Sequence, residues 1–152
     1  MASIEITGDL KHLMHMKKVN KYLATHQLVF GFIGNEKGDN GTPVAEYAYY
    51  VEFGLMKGGV PRPFFRNGRK DFEKDFFKKF EVLYHRCVNN FLEPSIILET
   101  LGIDGVGIIQ ESITKGGFAP NKESTLKSKK GSKPLIDTGT MLGAIKHRIE
   151  RV

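Results

Sequence analysis

The histidines and the one cysteine are the residues of this chain best suited to chemistry. His12 and His15 are three residues apart, the spacing at which two imidazole rings on one helix can hold a metal ion. No carboxylate or further histidine stands at a supporting spacing, so this pair does not predict a metal site. His85 and Cys87 are two residues apart and would point to different faces of a helix, which predicts a surface histidine and a core cysteine.

Two short segments resemble catalytic loops without completing them. The segment "GFIGNEKGDNG", residues 31–41, follows an apolar run, as a phosphate-binding loop does. It lacks both the Gly-Lys-Ser/Thr ending and the spacing of a dinucleotide fingerprint, so it predicts a turn. The segment "DFEK", residues 71–74, has the acid-x-acid-Lys order of some nucleases but lies within an ordinary charged helix face. We therefore expect no catalytic residues, no cofactor and no enzyme activity.

Length and composition bound the class of protein. A chain of 152 residues suits one domain, here residues 1–152, and can bury roughly 68–70% of the surface of its unfolded form. A single cysteine excludes an intramolecular disulfide, which fits a reducing compartment. The N-terminus is too polar for a signal peptide, and no apolar run approaches the ~18 residues of a membrane span. We expect a soluble intracellular protein.

The apolar periodicity predicts helices and two strands that must position these residues. The helices are expected at residues 9–25, 44–53, 68–92 and 95–115, and the strands at residues 27–34 and from Ile145. The apolar face of the opening helix is expected to consist of Leu10, Leu13, Met14, Tyr22 and Leu23. The stripe of the long helix is expected to consist of Phe72, Phe76, Phe80, Leu83, Cys87 and Phe91.

Prolines, glycines and capping residues mark the boundaries and contacts of these helices. Pro94 is expected to end or kink the long helix, and Asp137 or Thr138 to serve as the N-cap of a last short helix. The helix at 95–115 contains three glycines, Gly102, Gly105 and Gly107. Each lowers helix propensity by about 1 kcal/mol relative to alanine, which indicates that another backbone packs closely there.

Two segments without helical periodicity are the most informative. In "KGGVPRPFFRNG", residues 57–68, Pro61 and Pro63 fix their own φ angles and push the residue before each of them out of the α region. The segment is therefore predicted to be an extended arm. Residues 122–133 carry five lysines against one glutamate, which predicts either a solvated loop or a loop that binds a partner or nucleic acid.

Four segments in order carry a resemblance to a known family. They are "DNGTPVAEYAYYVEFG", "VPRPFFR", "LGIDGVGIIQESI" and "FAPNKESTLKSKKGSKPLIDTG". Together they resemble the tail-completion or neck proteins of tailed bacteriophages, also called virion morphogenesis or head-tail joining proteins, over roughly residues 29–152. The chain departs from the family pattern at Met141, where leucine is usual, at Ala144, where serine is common, and at Asn67-Gly68.

The resemblance implies an α+β fold in which a small antiparallel sheet packs against two long helices. It implies a structural virion protein that forms a ring in the neck, with six subunits as the expected number, and that is made in the bacterial host cytoplasm. The implied partners are the head connector or stopper protein and the tail terminator or tail tube protein. The long basic loop could meet a partner ring or make non-specific contact with genome DNA in the channel.

The residues expected at the assembly interface follow from the matching motifs and the basic loop. They are Glu52, Phe53, Gly54, Pro61, Arg62, Pro63, Phe64, Phe65, Arg66, Lys127, Lys129, Lys130, Asp137, Thr138 and Gly139. Two interpretations of Phe64 and Phe65 stay open: insertion into a neighbouring subunit, or into the chain's own core. Arg62 and Arg66 are expected to pair with acidic residues, Glu52 among them.

A different class of function competes with the structural one. The net charge of +6 and a pI near 9.4 favour a free-standing basic module that binds nucleic acid. No recognised nucleic-acid-binding motif is present, and most aromatic residues fall on the predicted buried stripe. We therefore treat this module as the alternative to the neck protein.

Overall fold

The computed structural model describes residues 9–38, 41–55, 59–118 and 139–152. These contain five helices and two strands: α1 (Leu10–Thr25), β1 (His26–Gly31), α2 (Val44–Phe53), α3 (Phe64–Asn89), α4 (Ser95–Lys115), α5 (Thr140–Gly143) and β2 (Lys146–Arg151). No helix in these ranges is both long and apolar enough to cross a membrane.

Helices α3 and α4 form the centre of the fold and are joined by a tight turn. Phe91 adopts a left-handed conformation with φ of 53°, and the N–H of Leu92 donates to the carbonyl of Cys87 at 3.0 Å. This is the usual closing pattern of a helix C-terminus, with phenylalanine where glycine is commoner. Because α3 ends at Asn89, Phe91 lies outside the helix, and its predicted place in the buried stripe is wrong.

The two strands pair antiparallel, from His26 opposite Arg151 to Gly31 opposite Lys146. Their side chains alternate between two faces, as the pleat requires. Leu28 and Phe30 on one face pack against the long helices, and the rings of Phe30 and Phe72 are 5.0 Å apart. The predicted α+β fold, with a small antiparallel sheet packed against two long helices, is confirmed.

Two of the three glycines of α4 allow this close packing. A Cβ atom on Gly102 would lie 2.4 Å from the ring of His147, and one on Gly105 would lie 3.2 Å from the ring of Phe30. The prediction that another backbone packs closely there is wrong at both positions, because the close neighbours are the side chains of His147, Leu28 and Phe30 in the sheet. Gly107 has no neighbouring atom within 4 Å, so the prediction is wrong there as well.

The buried apolar residues form two clusters at the two ends of the α3–α4 pair. One joins α2, α5, the start of α3 and the end of α4, and includes Val51, Phe64 and Ile109. The other joins α1, the end of α3 and the start of α4, and includes Val19 and Cys87. Phe64 and Cys87 are 23 positions apart along α3, or roughly 35 Å. Helices α1 and α2 thus lie at opposite ends of the molecule.

Helix α1 exists as predicted, but its apolar residues are placed differently. Leu10, Leu13 and Met14 are 68%, 57% and 65% exposed, so the prediction that they form the buried face is wrong. Val19 is fully buried instead, and Leu23 packs beside it. Which residues of α1 are buried depends on the face that packs against α3. The spacing of apolar residues within α1 does not determine that face.

The histidines of α1 are occupied by packing contacts. The rings of His12 and His15 lie 6.0 and 5.3 Å from the ring of Phe91, and His15 Nε2 lies 3.3 Å from the carbonyl oxygen of Cys87. Among the described residues, no three His, Cys, Asp or Glu side chains come together as a metal-binding group.

Substituting two glycines of α4 tests the packing of helix against sheet. We expect Gly102→Ala to lower the free energy of unfolding by about 1–2 kcal/mol, because the new methyl group displaces His147 and Leu28. Gly107→Ala, the matched control, should raise it by up to about 1 kcal/mol through helix propensity. Urea unfolding monitored by circular dichroism measures both. Equal stabilisation by the two substitutions would contradict the packing described here.

Candidate functional site

The end of α2 and the proline segment form one compact unit. Gly54 has φ of 68°, and the N–H of Leu55 donates to the carbonyl of Tyr50 at 2.9 Å, which closes the helix in a Schellman motif. A Cβ on Gly54 would lie 2.6 Å from the backbone nitrogen of Pro61. Glycine is therefore required here twice, for its backbone conformation and for the approach of the proline segment.

The proline segment is shorter than predicted and leads directly into α3. The N–H of Arg62 donates to the carbonyl of Val51 at 3.1 Å, which fixes the segment to α2. Pro63, with φ of −77° and ψ of 54°, forms an inverse γ-turn in which the N–H of Phe64 donates to the carbonyl of Arg62 at 2.8 Å.

Phe64, Phe65 and Arg66 form the first turn of α3 and do not belong to an extended arm. The prediction that these three residues extend the arm is wrong, and so is the predicted helix start at residue 68. The physical reason is that proline restricts the residue before it but leaves the residues after it free to enter a helix.

The carboxylate of Glu52 holds the start of α3. Glu52 is 5% exposed and is the one buried charged residue among those described. Its Oε2 accepts from the N–H of Phe65 at 2.9 Å, and its Oε1 accepts from the N–H of Arg66 at 3.2 Å. Pro63, at the N-cap of α3, has no side-chain atom that could accept a hydrogen bond from the open N–H groups. Glu52 therefore does for α3 what a capping residue does, from a different helix.

Arg66 completes the cluster. Its Nε donates to Glu52 Oε1 at 2.8 Å, so the predicted pairing of Arg66 with Glu52 is confirmed. Its guanidinium also lies over the ring of Phe53, 4.8 Å from the centroid. Arg66 thus links the buried carboxylate to the outer surface of α2.

Beside this cluster lies a cleft of about 240 Å³ under an exposed group of aromatic side chains. We call Tyr49, Tyr50 and Phe53 the aromatic face of α2. The rings of Tyr49 and Phe53 are 4.9 Å apart, and all three side chains are more than a third exposed. Tyr50 donates a hydrogen bond to the carboxylate of Glu46 at 2.8 Å, which raises the pKa of Tyr50.

Phe64 lies in the chain's own core, and Phe65 is partly buried against it. Phe64 is 1% exposed and meets the ring of Phe32 edge to face at 6.2 Å, while Phe65 packs over Gly31. Of the two interpretations left open, insertion into the core accounts for Phe64 in the single chain. The sequence analysis did not identify the exposed tyrosines. They lie on the side of α2 opposite Val44, Ala48 and Val51, and the presence of aromatic residues on both sides of this helix was the signal that could have identified them.

The remaining predicted residues are placed apart from the cluster or are not described. Gly139, with φ of 76°, is the N-cap of α5, so the prediction of Asp137 or Thr138 as the N-cap is wrong. A glycine takes this left-handed position easily, whereas a side-chain cap requires a residue in the β region. The other five predicted residues lie outside the described residues: Lys127, Lys129, Lys130, Asp137 and Thr138.

Cys87, the chain's one thiol, is buried as predicted. It is 1% exposed and lies 3.4 Å from the carbonyl oxygen of Leu92. Burial raises the pKa of the Cys87 thiol, and the nearby charge of Glu93 adds to the effect. A buried, protonated thiol is unreactive.

No protein-family model, curated protein or solved structure matches this chain.

Removing the charge of Glu52 tests its role at the start of α3. We expect Glu52→Gln to lower the free energy of unfolding by about 2–3 kcal/mol, because an amide NH2 replaces one of the two oxygens that face three donors. Glu46→Gln, on the exposed side of the same helix, should change it by less than about 0.5 kcal/mol. Chemical denaturation measures both, and similar small losses would exclude a capping role for Glu52.

Alanine substitutions of the two phenylalanines that flank the proline segment test which of them belongs to the core. We expect Phe64→Ala to cost about 3–5 kcal/mol in the isolated chain, because it empties a buried site. Phe53→Ala, whose side chain is 42% exposed, should cost about 1 kcal/mol or less. Thermal unfolding followed by circular dichroism distinguishes them. A stable, well-folded Phe64→Ala chain would contradict the core assignment.

Proposed function

We propose that this chain is a structural subunit of a tailed-bacteriophage virion, forming a ring at the junction of head and tail. In this role it completes the tail and joins it to the head connector, and its place is the neck of the virion. The proposal rests on the resemblance of residues 29–152 to neck proteins and on the geometry of the junction between α2 and α3.

One observation of the structure is the main support for this proposal. Six residues separate the Glu-Phe-Gly motif from the Pro-Arg-Pro-Phe motif, yet the second is fixed to α2 by the hydrogen bond from Arg62 N–H to the carbonyl of Val51. Phe65 and Arg66, directly after it, donate to the buried carboxylate of Glu52. The residues that carry the resemblance are therefore joined by hydrogen bonds into one unit. The aromatic face of α2 adjoins this unit and is exposed to solvent.

A rigid, aromatic surface suits a subunit that repeats one interface. Each subunit of a closed ring uses two different surfaces, one for each neighbour, so the same contact recurs around the ring. Association is favoured when side chains are already held in their bound positions, because less conformational entropy is then lost. The contact of Arg66 with Phe53 and the packing of Tyr49 on Phe53 provide such order.

The proposed partners on either side of the ring are the head connector or stopper protein and the tail terminator or tail tube protein. Lys127, Lys129 and Lys130 are proposed to meet a partner ring or the phosphates of genome DNA. Lysine contacts to phosphates would be independent of sequence and weakened by salt. In this role the chain acts by binding, without a turnover reaction.

Loss of the protein from the parent phage tests the joining role. We expect a stop codon at Tyr22 to yield filled heads lying beside separate tails, because the proposed ring is missing from the junction. Negative-stain microscopy of the lysate and a plaque count measure the effect, and supplying the intact chain in trans should restore infectious particles. A synonymous change at Tyr22 is the control. Joined, infectious particles without the chain would refute the proposal and favour the basic nucleic-acid-binding module.

A further inference from the structure

Helix α1 presents a second exposed apolar surface, at the other end of the molecule. Leu10, Leu13, Met14, Lys17 and Lys21 follow the i, i+3, i+4, i+7 pattern of one helix side, and we call them the outward face of α1. This side is opposite the buried Val19. Three large apolar side chains in its first turns are followed by two lysines in the next.

The outward face of α1 and the aromatic face of α2 carry opposite charge. Helix α1 contains four lysines and no carboxylate. At the aromatic face of α2, the guanidinium of Arg66 is paired with the buried Glu52, so the exposed Glu46 leaves this face with a net negative charge. Lys17 and Lys21 form no ion pair with any described residue. Glu46, at the edge of the aromatic face, accepts a hydrogen bond from Tyr50.

The placement of the two faces decides how they can meet. They lie at opposite ends of the α3–α4 pair, so one chain cannot bring its own two faces together. A contact between two α1 faces would set lysines against lysines, and a contact between two α2 faces would set glutamate against glutamate. Unlike faces on two copies match in both apolar character and charge.

We propose that copies of this chain associate head to tail, with the outward face of α1 in one copy seated on the aromatic face of α2 in the next. In this contact Leu13 and Met14 pack on Tyr49 and Phe53, while Lys17 and Lys21 approach Glu46. The inference rests on the self-association in the proposed function and names the two surfaces that meet. Because each dimer keeps one free face at each end, the contact propagates until a ring closes.

Chemical cross-linking between engineered cysteines tests this pairing. Cys87 is buried and does not compete for a thiol reagent. A Met14→Cys chain and a Tyr49→Cys chain, mixed in equal amounts and treated with a short bismaleimide, are expected to form a covalent dimer. Neither chain alone should do so. A chain carrying both substitutions should give a ladder of oligomers that ends at the ring.

Two controls make the result specific. Phe77 is 80% exposed on α3, outside both faces, so a Phe77→Cys chain mixed with the Tyr49→Cys chain should give only background cross-linking. Replacing Lys17 and Lys21 by glutamate in the Met14→Cys chain should reduce the dimer yield about fivefold. Adding Glu46→Lys to the Tyr49→Cys chain should restore most of it, which general unfolding of either chain would not allow.

Covalent dimers from either single variant alone would show a contact between like faces and would overturn the inference. So would a mixed yield no higher than that of the Phe77→Cys control. The stop-codon experiment separates this failure from failure of the proposed function. Detached tails without cross-linking would leave the joining role intact but assign it to other surfaces. Cross-linking with normal particles would leave the head-to-tail contact intact without a neck role.

Discussion

The buried carboxylate of Glu52, where α2 meets the start of α3, is the interaction on which the arrangement of this end of the molecule depends. Burying an unpaired carboxylate costs several kcal/mol, and the open N–H groups at a helix start are also costly when they lack acceptors. Here each offsets the other, because two backbone N–H groups and the Arg66 guanidinium converge on the two oxygens. A displacement of α2 by one residue would leave both sets of groups unsatisfied. The junction therefore has one favourable register.

The junction and the sheet depend on the α3–α4 pair in different ways. The first turn of α3 is held by a charge from another helix, whereas the two strands are held by packing against α4 and by the contact of His147 Nε2 with Glu99 Oε2 at 2.8 Å. A two-stranded sheet of six residues a strand is marginal by itself, so the packing of Leu28, Phe30 and His147 beside Gly102 and Gly105 is what stabilises it. The junction and the sheet are thus both fixed to one helical pair, at whose opposite ends α1 and α2 lie.

This separation has a consequence for assembly. The two unlike faces, one with Lys17 and Lys21 and the other with Glu46, lie at the far ends of the α3–α4 pair, so they can meet between copies but not within one copy. The same chemistry disfavours pairing of like faces. In the proposed assembly, α1 and α2 supply the surfaces for self-association, and the lysines of residues 122–133 are proposed to meet a different partner. Self-association and the contact with a neighbouring ring or DNA can then be independent.

The sequence by itself determined the features that depend on neighbouring residues. The apolar periodicity predicted α2 and α4, Gly54 marked the end of α2, Pro94 marked the boundary between α3 and α4, and an apolar run rich in β-forming residues identified β1. Only the tertiary structure decided that Leu10, Leu13 and Met14 face outward, that Phe91 turns out of α3, and that Glu52 caps a helix beginning 12 residues later. Helix propensity and turn formation act over a few residues and can be read locally. The buried face of a helix and the partner of a buried charge depend on residues that folding brings together from distant parts of the chain.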